Sequence, residues 1–253
     1  GLFDPTVLLE KARIEGAALE GTGILGLLNV VERVAAWRNL IDPRAQTRSE
    51  TNSQTKYDWR SIAALSAPLL DHDFAPLLRQ LRGKIEPDGS LSDDASSELR
   101  RIRRAMERQH RAIEESLRKS LRGLSDGWST QDELLTIRRE RFVITVQADF
   151  KRKVPGVIHG SSSSGATVFV EPLETIEQNN ELVRLLDEEQ AEIHRILVAM
   201  TRALGESAAA IHLGACILAE VESHAARARF ANDLNCVRPR FIVASSPLSV
   251  ASN

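Results

Sequence analysis

Aromatic residues are scarce: three Trp, one Tyr and seven Phe make up 4% of the 253 residues. Glycine (14) and proline (9) are not enriched either, so no part of the composition points to a low-complexity chain. There are two cysteines, Cys216 and Cys236, far apart in sequence. That spacing suits neither a disulfide scaffold nor a metal-ligand set, and a reducing, cytoplasmic setting is the expectation. No run approaches the roughly 18–20 apolar residues of a membrane span. Charge of one sign is missing too: 33 Lys and Arg against 35 Asp and Glu give a formal net charge of −2. Attraction to a polyanion must therefore come from where the cations sit. The chain opens at Gly1 without a methionine or a signal-type segment and reads as a fragment of a longer protein.

What is present favours helices, because Leu, Ala, Arg and Glu dominate. Residues 5–42 predict two or three helices with a break near Gly21–Gly23. Residues 44–58 are polar and aperiodic, a loop. Residues 59–82 return to helical spacing, interrupted at Pro68 and Pro76, and Pro87-Asp88-Gly89 marks a turn. Ser92 followed by Asp93 and Asp94 predicts the start of one long helix of about 31 residues. Its apolar seam runs Leu99, Ile102, Met106, Ile113, Leu117, Leu121 and Leu124, with His110 filling the gap. From 132 to 171 the period shortens, and β-branched runs punctuated by Gly156, Gly160 and Gly165 predict three or four antiparallel strands. After Pro172 a second long helical seam runs from Ile176 to Leu204 and stops at Gly205. An Ala-rich helix covers 206–234.

Two long helices of similar length around a compact insert predict an antiparallel pair with the β module at its tip. Charge agrees: residues 98–123 carry nine basic and four acidic side chains, and 173–204 carry three and seven. Opposite arms attract, though each exposed pair is worth only about 0–1 kcal/mol. The expected fold is mainly α: long antiparallel lever helices with a small antiparallel β clamp between them. The expected organisation is core helices and ascending arm over 1–126, the β-rich clamp over 127–172, the descending arm and a core helix over 173–240, and an edge over 241–253.

Residues 138–182 read RRERFVITVQADFKRKVPGVIHGSSSSGATVFVEPLETIEQNNEL. The ordered elements Arg-Glu-Arg-Phe-Val, Gly-Val-Ile-His, Ser-Gly-Ala-Thr, Phe-Val-Glu-Pro and Asn-Asn-Glu-Leu resemble the clamp region of the bacterial MutS paralogue family, MutS-two. A weaker resemblance extends over the flanking helices. The family pattern has an acidic residue directly after the histidine, where this chain has Gly160. The resemblance implies a larger parent with an ABC-type ATPase domain that binds ATP and Mg and dimerises, and in many members a small nuclease domain. It also implies work on branched or mismatched double-stranded DNA, in control of recombination or repair, and for some members on collided ribosomes.

The candidate nucleic-acid contacts are Arg138, Arg139, Arg141, Lys151, Arg152 and Lys153, opposed over 138–162 only by Glu140 and Asp149. Such a cluster can neutralise phosphates without reading bases. Ser161, Ser162 and Ser163 lie in a Gly-flanked loop whose amides and hydroxyls could meet a phosphate, or which could be a plain hairpin connection. His159, Gly165, Glu171, Pro172, Asn179 and Asn180 read as structural: a hydrogen-bonding histidine, a turn glycine, a carboxylate at a strand-to-helix return, and asparagines that set register in the second arm's seam. The Arg-rich first arm (Arg100, Arg101, Arg103, Arg104, Arg108, Arg111) either lines a nucleic-acid channel or pairs with the acidic second arm. No P-loop, HExxH or catalytic triad spacing occurs, so no catalytic or metal-binding residue and no cofactor is expected within this chain. Two rival readings remain: an arm module directed at the ribosome, and an enzyme using His159 with the serine loop.

Overall fold

A computed structural model describes residues 3–42, 60–122 and 135–237. The expected loop at 44–58, the boundary near 126 and the edge at 241–253 lie outside the described residues. In chain order the helices are α1 (Thr6–Ala12), α2 (Gly21–Ile41), α3 (Arg60–Ser66), α4 (Ala75–Leu81), α5 (Ser97–Arg122), α6 (Ile176–Glu206) and α7 (Ala208–Asp233). Four strands fall between α5 and α6: β1 (Leu135–Arg138), β2 (Arg141–Gln147), β3 (Gly156–Ser161) and β4 (Thr167–Pro172). They form one antiparallel sheet in the order β1-β2-β4-β3.

Two apolar clusters organise the molecule. The larger gathers Leu27, Val31 and Val34 of α2, Leu78 and Leu81 of α4, Leu99 at the start of α5, Met200 and Leu204 of α6 and Ile211 of α7. The smaller lies at the other end of α5. There Ile113 and Leu117, with Leu182 of α6, meet Phe142, Ile144 and Val146 of β2 and Val168 and Val170 of β4. Alternate residues of β2 and β4 supply that face, as a pleated strand requires. A four-stranded sheet of this size gains its stability from the helices it packs on. His110, which fills the gap in the α5 seam, places its ring 5.3 Å from that of Phe142.

α5 and α6 run antiparallel along each other, and specific bonds set their register. Ser96 Oγ accepts from the Leu99 amide at 2.9 Å and donates to Glu192 Oε1 of α6 at 2.7 Å. Arg103 Nε donates to Glu189 at 2.7 Å. Nearer the sheet, Gln109 Nε2 donates to the Gln178 carbonyl at 2.8 Å and Ser120 Oγ to Glu174 at 2.9 Å. Among the described residues, the ion pairs crossing the two arms are Arg103–Glu189 and Arg101–Glu188. Arg184 and Arg195 instead pair along α6 itself. The general attraction between arms thus narrows to one end of the pair.

Three sequence expectations need correction. The first break falls before Gly21, which begins α2; a Cβ there would sit 1.9 Å from the Gly89 carbonyl oxygen, so the glycine permits close contact with the 86–90 turn. Ser92 does not open the long helix. It caps a short 3₁₀ turn, Asp93–Ala95, by accepting from the Asp94 amide at 3.3 Å, and Ser96 starts α5 four residues later. Both serines carry the cap signature, and composition alone does not say which one the helix uses. Gly205 does not stop α6, which continues to Glu206. Its missing side chain lets the Ala12 carbonyl approach within 2.2 Å of where a Cβ would be.

Candidate nucleic-acid interface

The sheet is attached to α6 by a buried polar cluster. Asn179 is fully buried, one turn into α6. Its Nδ2 donates to the Phe142 carbonyl at 3.0 Å, and its Oδ1 accepts from the Phe142 amide at 3.0 Å. A side-chain carboxamide has the same donor and acceptor as a peptide unit. Asn179 therefore continues the hydrogen-bonding ladder of β2 beyond its last β4 partner pair, Ile144 with Val170. The same Nδ2 donates to Glu171 Oε1 at 2.9 Å.

Glu171, at the end of β4, is 2% exposed and accepts from three groups. Besides Asn179 these are Arg141 Nη1 at 2.7 Å and His159 Nε2 at 2.6 Å. Arg141 also donates through Nη2 to Asn180 Oδ1 at 2.6 Å. A buried carboxylate is tolerated because charge and hydrogen bonds surround it. His159 reaches it because the pairing of β3 with β4 slips between Ile158 and Gly160, and the irregularity re-aims the intervening side chain. Pro172 is buried and accepts from Thr175 Oγ1 at 3.0 Å, shaping the return into α6.

The structure thus divides the sequence-derived cations. Arg141 is engaged by Glu171 and Asn180. Arg138 lies over the Phe169 ring at 4.3 Å, and Lys153 over Phe150 at 4.8 Å, so both keep exposed charge while resting on an aromatic face. Arg139, Lys151 and Arg152 are exposed and make no ion pair among the described residues. Arg139 and Glu140 form the two-residue β1–β2 turn with φ of 49° and 64°. Both angles belong to the tight hairpin turn that asparagine and glycine adopt most easily. Lys151, Arg152 and Lys153 end the 3₁₀ turn Ala148–Lys153, which joins β2 to β3.

The serine loop is closed largely on itself. The amides of Ser162, Gly165 and Thr167 bond within it, to the Thr167 carbonyl, the Ser162 carbonyl and Ser162 Oγ respectively. The Ala166 amide reaches Ser164 Oγ at 3.4 Å. Gly165 takes the positive φ (69°) that this turn needs. Ser161 and Ser163 are exposed, and Ser162 is half-buried with its hydroxyl engaged. A backbone phosphate cradle is thereby reduced to the few donors left free. On α5, Arg100, Arg101 and Arg103 pair with neighbouring acids, Arg111 approaches Glu107 at 3.7 Å, and Arg104 and Arg108 are exposed without an ion pair among the described residues.

Sequence reasoning missed the Arg141–Glu171–His159–Asn179 cluster as a unit. Its members are separated by up to 38 residues, and only the sheet brings them together. No group of three or more His, Cys, Asp or Glu suited to a metal occurs among the described residues. No single described helix is long and apolar enough to cross a membrane.

The paired helices α5 and α6 carry the basic four-stranded sheet at one end. No protein-family model matches the chain. Curated relatives do. It is 35% identical to "Endonuclease MutS2" of Pelotomaculum thermopropionicum over 179 residues, 71% of this chain and 22% of the relative. Against "Endonuclease MutS2" of Aquifex aeolicus it is 33% identical over 205 residues, 79% of this chain and 25% of the relative. A protein of the same name in a Clostridium botulinum type B strain is 30% identical over 239 residues, 94% of this chain and 29% of the relative. The chain belongs to the MutS2 family and spans about a quarter of the length of these relatives.

Proposed function

We propose that this chain is the nucleic-acid-gripping lever of a larger MutS-type ATPase acting on branched or mismatched DNA, in control of recombination or repair. The β tip holds the phosphate backbone, and α5 and α6 carry its state toward the ATPase domain, where ATP and Mg would bind. The observation that carries this reading is the set of exposed cations, Arg139, Lys151 and Arg152, with Arg138 and Lys153 held on aromatic rings, at one end of a paired-helix arm. Lysine and arginine displace counterions from phosphate, which gives affinity without sequence choice. The names of the relatives agree with nucleic acid as the partner. In the full-length dimer two such tips would act together, and the second contact gains from a high effective concentration.

Fluorescence anisotropy of the chain against linear duplex and four-way-junction DNA, at several salt concentrations, tests the proposal. Salt-sensitive binding supports it, and a junction preference assigns the protein to recombination intermediates. Absence of binding at low salt, together with co-sedimentation with ribosomes, would replace DNA by the ribosome as partner.

A further inference from the structure

α7 carries a second chemical feature, far in sequence from the tip. His212 and Cys216 lie four residues apart, so they share one helix face in successive turns. Both side chains are exposed, and His212 Nε2 lies 3.6 Å from Cys216 Sγ. Tetrahedral zinc holds sulfur at about 2.3 Å and imidazole nitrogen at about 2.0–2.1 Å, which separates the two donor atoms by about 3.6 Å. The separation of the two donor atoms therefore matches that of a zinc chelate. One turn further along the face, Glu220 is paired with His224 at 3.6 Å.

We propose that His212 and Cys216 form a two-ligand site for a borderline-soft divalent cation, zinc, with the remaining positions filled by water. Thiolate and imidazole are the donor types zinc favours over magnesium or calcium. On binding, Cys216 releases its thiol proton to solvent as the Sγ–metal bond forms, while His212 coordinates as neutral imidazole. The chelate clips one turn of α7. Because it requires the folded helix, it raises stability by mass action.

The test uses the full chain in a Cys236→Ser background, so that Cys216 is the sole thiol. Titration with Co²⁺ is followed by thiolate-to-metal charge-transfer absorption, then Zn²⁺ is added as competitor. The expected result is a saturable band that zinc abolishes, that is lost in Cys216→Ser, and whose affinity falls about tenfold or more in His212→Ala, the scale on which metal sites respond to loss of a supporting group. Zinc should also slow iodoacetamide alkylation of Cys216 and raise Tm, in the parent but not in His212→Ala. Absence of the band, or a band with unchanged affinity in His212→Ala, overturns the proposal. Helical content of each variant by circular dichroism separates loss of ligand from loss of fold.

Discussion

The carboxamide of Asn179 on α6 and the backbone of Phe142 on β2 exchange two hydrogen bonds, each 3.0 Å long. Through this pair α6 takes the place of a neighbouring strand. The tip is therefore joined to α6 by ladder-type bonding as well as by apolar packing of Leu182 in the smaller cluster.

Replacing Asn179 by leucine keeps the volume and removes both bonds. The Phe142 amide and carbonyl are then left buried and unpaired, and Glu171 loses a donor. Each orphaned group costs about 1–3 kcal/mol, so the Asn179→Leu chain should lose about 3 kcal/mol or more in urea unfolding. A loss below about 1 kcal/mol would mean that the join to α6 rests on packing alone.

Glu171 supports the same join from the other side. Glu171→Ala strands the Arg141 guanidinium and the His159 ring, and breaking a buried pair in this way costs about 3–5 kcal/mol. Arg141→Ala should destabilise in the same direction, and the two losses should be strongly non-additive in a double-mutant cycle. Additive losses would contradict the shared network. Arg141→Ala should also leave the salt dependence of DNA binding nearly unchanged, because its charge is used internally.

The β1–β2 turn holds Arg139 and Glu140 at positive φ. A residue with a Cβ is strained there by about 1–2 kcal/mol relative to glycine. Glu140→Gly should therefore raise stability by about 1 kcal/mol and raise Tm, with the far-ultraviolet spectrum unchanged. A fall in Tm would show that the turn does not adopt this geometry in solution.

Glu192 sets the arm register and responds to acid. Arg195 chiefly, with Ser96 also contributing, holds its carboxyl below the usual glutamate range against a burial that pushes it upward. As pH falls from the ordinary glutamate range toward that lower folded value, the unfolded chain takes up a proton that the folded chain does not. Stability is consequently lost over this window. Urea unfolding across the acid range should show the advantage of the parent over Glu192→Gln shrinking as pH falls. A gap that stays constant would contradict the assignment.

Much of this architecture was readable in the sequence, for definite reasons. The seam from Leu99 to Leu121 recurs every three or four residues, and four of its members, Leu99, Ile102, Ile113 and Leu117, are at most 2% exposed. The β-branched alternation over 142–146 and 168–170 predicts the buried face of the sheet. The sequence predicts asparagines that set register within the arm pair, whereas Asn179 bonds β2 and Glu171 and Asn180 accepts from Arg141. A periodic pattern reveals which face of a helix is buried, and it does not name what lies against it. For the same reason a local charge count treats Arg141 as equivalent to Lys151. Only the fold brings Glu171, 30 residues later, to its guanidinium. The misplaced helix start has a local cause, two serine caps four residues apart.

In the proposed function the exposed cations of the tip grip nucleic acid. The most direct test of that grip is the salt dependence of duplex binding by the chain, beside a variant in which Lys151, Arg152 and Lys153 are all alanine. Each phosphate contact contributes about 0.9 to the slope of log affinity against log salt concentration. The variant should bind more weakly, with a slope shallower by about 2 to 3 and a Tm little changed, since the one contact given up is that of Lys153 on the Phe150 ring. An unchanged slope and affinity would contradict the proposal and place the grip elsewhere on the molecule.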